Sequence, residues 1–130
     1  MTIHEMMQQV ALLTSGKYSR EDNVSLIDIP TVGNRGQVIY GKLFDQDEGD
    51  TGLLYTPVGP LIETIDPIYL LRINASLQWA RTALLSDDTI ILIATFDLPT
   101  TSIKECARIM QEVAAVADDL EFRFFSVDEM

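Results

Sequence analysis

Ile3, Met6, Met7, Val10 and Leu13 recur at spacings of three and four, which draws one apolar stripe along a helix over residues 2–14. Thr2 and Glu5 stand three apart, the spacing at which each side chain satisfies the other's free backbone N–H at a helix start. Ser15-Gly16 signals the end, and residues 15–22, SGKYSRED, read as a polar loop. The period then changes to two. In NVSLIDIP (23–30), Val24, Leu26 and Asp28 alternate with Ser25, Ile27 and Ile29. GQVIYGKLF (36–44) and TGLLYTPVG (51–59) follow, with DQDEGD (45–50) as a charged turn between them. These three segments predict an antiparallel meander, with Pro57 near the end of its strand, where a missing N–H matters least.

Beyond the meander, Asp66 and Pro67 mark a helix start, and the pattern predicts a helix over 66–81. Two strands follow, TALLS (82–86) and TIILIATFDLP (89–99), joined at Ser86-Asp87-Asp88. Ile90 to Ala94 is continuously apolar, as in a strand covered on both faces. A closing amphipathic helix spans 102–119, with Ser102 and Glu105 at capping spacing and Ile103, Cys106, Ile109, Met110, Val113, Ala114 and Ala117 on one side. LEFRFFSV (120–127) reads as a short strand or a docked tail. The order helix, three strands, helix, two strands, helix groups its elements and so predicts a single α+β domain over 1–130.

The middle helix differs from the other two. At 100° per residue, Ile68, Leu71, Ala75 and Trp79 form one stripe. Leu70, Ile73, Leu77 and Ala80, with Tyr69 beside them, form another on nearly the opposite side. Two stripes need two partners. One is the sheet; the other is a neighbouring helix of the same chain or a second copy. The first and last helices each spend their single stripe on the sheet, which favours a homodimer and leaves open which stripe faces it.

Charge narrows the class of partner. The chain carries 20 acidic and 9 basic side chains, a net −11 spread over both halves. That field repels phosphate backbones and anionic lipid, so neither nucleic acid nor membrane is an expected partner. No stretch reaches the ~18 apolar residues of a membrane span, the first ten residues do not read as a signal peptide, and a cytoplasmic location is expected.

The sequence holds no recognisable catalytic set. His4 is the sole histidine and is expected on the solvent side of the first helix. Cys106 is the sole cysteine; it lies on an apolar face and reads as a small core residue. DQDEGD fails as a calcium loop: counted from Asp45, glycine falls at position five and Thr56 at position twelve. The paired carboxylates Glu21-Asp22, Asp87-Asp88 and Asp118-Asp119 are sequence neighbours, which do not face each other on a helix. TVGNRG lacks the lysine and following helix of a phosphate loop. No cofactor, no metal and no enzymatic activity are expected.

The run GLLYTPVGPL into DPIYLLRINASLQW, the hairpin ALLSDDTIILIATFDLP and the closing helix together resemble the type III secretion chaperones, the Tir-chaperone (CesT-like) family, and the related YbjN-like proteins. The resemblance spans nearly the whole chain. It implies a non-enzymatic homodimer that binds an extended segment of another protein. It assigns the dimer contact to the helix between strands three and four, here Ile68, Leu71, Ala75 and Trp79. It assigns partner binding to the first helix and nearby strands, here Met6, Met7 and Val10, for which a plain core role is the competing reading. A YbjN-like regulatory or structural protein without secretion cargo is the alternative. A small ligand binder or enzyme with an unrecognised site is a further one.

Overall fold

The computed structural model describes residues 1–44 and 49–125. Helix α1 (Ile3–Thr14) is followed by strands β1 (Lys17–Glu21), β2 (Val24–Pro30), β3 (Gly36–Leu43) and β4 (Thr51–Pro60). Helix α2 (Pro67–Ile73) and a 3₁₀ turn (Asn74–Ser76) lead to β5 (Arg81–Leu84), β6 (Thr89–Asp97) and helix α3 (Ile103–Phe125). This is the α+β order expected from the sequence, with one strand more.

The added strand is β1, which falls within the segment read as loop. It pairs with β2 from Lys17↔Asp28 to Glu21↔Val24 and forms one edge of the sheet. Tyr18 is its one apolar side chain, so it lacks the alternation that marks a half-buried strand. Charged residues on an edge strand discourage pairing with other chains. Asp22, at φ 54°, makes the turn into β2.

The strands form one antiparallel sheet in the order β1-β2-β3-β4-β6-β5. β6 is thus internal, flanked by β4 and β5, as its continuous apolar run suggests. A bulge between Pro57 and Gly59 absorbs the proline late in β4. The alternation places Ile27, Ile29, Ile39, Leu54, Val58, Ile90 and Leu92 on one face, all buried. Helices α1 and α3 lie on that face and contribute Met6, Met7, Val10, Cys106, Met110, Val113 and Leu120 to the same core.

Local chemistry starts both long helices. Thr2 Oγ1 accepts the Glu5 N–H at 3.1 Å, and Glu5 Oε1 accepts the Thr2 N–H at 2.8 Å. At the start of α3 the Glu105 N–H likewise donates to Ser102 Oγ at 3.0 Å. α3 runs through Phe125, so residues 120–125 of the proposed strand or tail are its last turns; 126 and 127 lie outside the described residues. So do 45–48 of the charged turn.

One long-range clamp ties the β2–β3 loop to α3. Arg35 donates through Nε and Nη2 to the Asp118 carboxylate at 2.9–3.2 Å and lies 4.7 Å above the Phe122 ring. The Asp118 side chain is only 7% exposed. Removing the arginine leaves a carboxylate away from water without its fork of donors. Arg35→Ala is therefore expected to lower Tm in a thermal melt. Arg35→Lys, which keeps the charge but not the planar fork, should recover only part of the loss.

Candidate protein interface

The helix expected over 66–81 stops far earlier. α2 ends at Ile73, and after the 3₁₀ turn Leu77 is extended at φ −94°, ψ 142°. Asn74 and Ser76 compete with helix continuation. Asn74 Oδ1 accepts from the Thr82 N–H at 2.8 Å and the Thr82 hydroxyl at 3.1 Å, while the Ser76 hydroxyl donates to the Ile73 carbonyl. Then α3 takes over. The Gln78 N–H donates to Glu112 Oε2 at 2.8 Å, and the Trp79 and Ala80 N–H groups donate to Oε1 at 2.8 and 2.7 Å. One carboxylate satisfies three consecutive donors that a helix would have used internally.

This break settles the two stripes. Leu70 is 6% exposed and belongs to the core, with Ile73 packed against it. Thr82 Oγ1, on the helix-bearing face of β5, donates to the Leu70 carbonyl, and Tyr69 meets Phe124 of α3 edge-on at 6.2 Å. The Leu70 side is thus the inner one. Outward lie Ile68 (48% exposed), Leu71 (65%) and Ala75. Trp79 does not join them. It lies past the break, half-buried against the core, so the wheel that grouped it with Leu71 extended a helix that had already ended. Leu77 and Ala80 likewise reach the core from beyond the end of the helix.

Further apolar surface flanks α2. Ile62, Leu84 and Leu85 are 41–46% exposed. The Leu61 N–H donates to the Asp88 carbonyl, which sets the loop before α2 beside the β5–β6 turn.

Met6, Met7 and Val10 are 3%, 0% and 0% exposed, inside the core between α1 and the sheet. Their side chains occupy the core position that competed with the partner-binding assignment. Leu13, expected on the inner stripe, is 57% exposed, and Leu12 is 77% exposed. The inner position at that turn goes to Ala11 and to Thr14, whose hydroxyl donates to the Val10 carbonyl.

His4 is half-buried instead of fully solvent-facing. Nδ1 is within hydrogen-bonding distance of Ser25 Oγ, which also meets the Tyr18 hydroxyl at 3.0 Å. Burial, then the charge of Arg20, holds His4 below its ordinary pKa. Ser25 is completely buried, so no substrate reaches its hydroxyl. Cys106 is buried too, and desolvation followed by Glu105 pushes its thiol up to about 12, the protonated form at neutral pH. An open pocket of about 630 Å³ at the start of α1 is lined by His4, Asn23, Lys42 and Asp50 among others. Among the described residues no three His, Cys, Asp or Glu side chains group to hold a metal ion, and no helix is long and apolar enough to cross a membrane.

No protein-family profile and no curated protein sequence matches the chain. Solved structures do. The type III secretion chaperone SycH of Yersinia pestis, in complex with a stable fragment of YscM2, is similar with a TM-score of 0.61 and 12% identity, over 90% of this chain and 95% of that one. YbjN from E. coli is similar with a TM-score of 0.59 and 13% identity, over 97% of this chain and 91% of that one. The chain therefore has the fold shared by the type III secretion chaperones and YbjN.

Proposed function

We propose that this protein is a non-enzymatic, homodimeric protein-binding module, a chaperone or adaptor of the type III secretion chaperone-like kind. The observation that carries the reading is the outward stripe of α2. A short helix that leaves Leu71 65% exposed beside Ile68 and Ala75 is built for cover by another surface. A two-fold axis sets such a patch against its own copy without a second complementary site. The shared fold with SycH, itself solved with a partner fragment, supports the binding role. The comparable likeness to YbjN supports the second reading, a YbjN-like regulatory or structural protein with no secretion cargo.

Light scattering at micromolar concentration tests the dimer. Twice the 14.5 kDa chain mass is expected, and a wild-type monomer overturns it. Leu71→Asp should give a monomer that keeps its far-UV spectrum, because Leu71 contributes little to the core and a carboxylate in a desolvated contact costs several kcal/mol, about 2 or more. Capture of one abundant partner in stoichiometric amount separates the chaperone reading from the second.

A further inference from the structure

Opposite α1 and α3, the sheet has a face that none of the described helices covers. Its register lines up Leu26, Tyr40, Tyr55 and Ile93 straight across β2, β3, β4 and β6. Val38 and Ile91 extend this belt on one side, and Leu53 on the other. Leu53 and Ile91 are 8% and 6% exposed although neither belongs to the helix-covered core. At its centre the Tyr40 and Tyr55 rings stack at 5.2 Å and 16°, with Lys42 Nζ 5.8 Å from the Tyr55 ring centroid.

The charge around the belt is as distinctive as its apolarity. Strand alternation places Lys17, Lys42 and Arg81 on this face, with Glu21, Asp28 and Asp97. The face is therefore balanced, while the whole chain carries −11. Among the other described residues, 12 acidic side chains outnumber 6 basic ones.

We infer that this face docks an amphipathic segment of a partner protein, apolar on the side that meets the tyrosine belt and net basic on the side that does not. Stiff, partly polar tyrosines concentrate binding energy at low entropic cost, and they lie at the middle of the patch, where binding hot spots cluster. A balanced face lets apolar contact form without stranding a charge of one sign. The surrounding acidic field draws a basic segment in. The inference deepens the partner-binding reading and rests on it, but it uses a different surface from α2.

The test is titration of the 15N-labelled protein with a synthetic amphipathic helix of roughly 15 residues, Leu on one face and Lys on the other. A scrambled peptide of the same composition and a Glu-for-Lys version serve as controls. Amide shifts concentrated on β3, β4 and β6 are expected, with binding about tenfold weaker for both controls and for Tyr55→Ser. Leu12→Ser, on the solvent side of α1 and off the face, should leave the affinity unchanged. Mapping on the wild-type protein keeps the result independent of whether Tyr55→Ser folds well. Shifts confined to α1 and α3, equal binding of the scrambled peptide, or no binding overturns the inference. So does a wild-type dimer that Tyr55→Ser converts to monomer, since the face is then covered by a second copy. A dimer whose sheet face ignores the peptide overturns this inference alone; a monomer whose sheet face binds it overturns only the α2 dimer.

Discussion

Met7→Ala should lower the unfolding free energy by about 2–5 kcal/mol, the range for truncating a buried methionine to alanine. Met7 is 0% exposed and sits against the backbone of β3 at Gly41, where an added Cβ would meet its Sδ at 2.9 Å and its Cε closer still. The missing side chain at Gly41 is what lets the thioether approach the strand. Alanine at position 7 leaves that space with nothing to fill it, because the strand backbone is held by pairing on both sides. Urea denaturation checks the value as a shift in midpoint at constant slope. Met7→Leu, near in volume, should cost under about 1.5 kcal/mol. The same measurement separates the two roles considered for Met7. A surface contact for a partner would leave stability within about 0.5 kcal/mol of wild type.

Glu112→Ala is expected to cost about 3 kcal/mol, because three backbone donors lose one charged acceptor and a hydrogen bond to a charged group contributes about 1.5–3 kcal/mol. The effect is predicted to be local as well as global. With Glu112 gone, Gln78, Trp79 and Ala80 have no fixed course, and the amides of 77–82 should exchange faster than those of β6. Burial by itself raises the Glu112 carboxyl, but the hydrogen bonds from Ala80, Gln78 and Trp79 and the charge of Arg81 outweigh it, and the group lies below the ordinary value of 4.5. A depressed carboxyl stabilises fully above its unfolded pKa, and that stability fades as pH falls through the lower folded value. The wild-type protein should therefore lose stability from about pH 4.5 downward. Glu112→Gln, which cannot titrate, should show a shallower loss across that window. Equal slopes for the two proteins would show that the carboxylate is not what holds the segment.

The break in α2 shows where local reading stops. Residues 66–81 contain no proline after Pro67 and no glycine, and their apolar positions sustain a helical period to the end. Asn74 and Ser76 hint at a stop, but such residues also occur inside helices. The decisive acceptor is 32 to 34 positions away on α3, and no window of sequence contains it. The helical wheel groups Trp79 with Leu71 because it runs past that stop. β1 was missed for the opposite reason. Its position at the edge removes the need for a buried face, and with it the alternation that betrays a strand. Met6 and Met7 were placed on the inner stripe from the outset, and the competing core reading needed no contact beyond it.

What the sequence determined by itself is what local physics writes into neighbouring residues. The capping of α1 and α3, the apolar stripe of each, the period-two strands and the α+β order follow from spacings of two to four residues. What only the tertiary structure decided is which surfaces remain once the core is closed. The Leu70 side of α2 went inward and the Leu71 side outward because Thr82 and α3 hold that helix against the β5 end of the sheet. The tyrosine belt exists because both long helices chose the same face. Neither outcome is encoded in any single stretch, since each depends on distant elements competing for the same apolar surface, and the side left over is the one available to a partner.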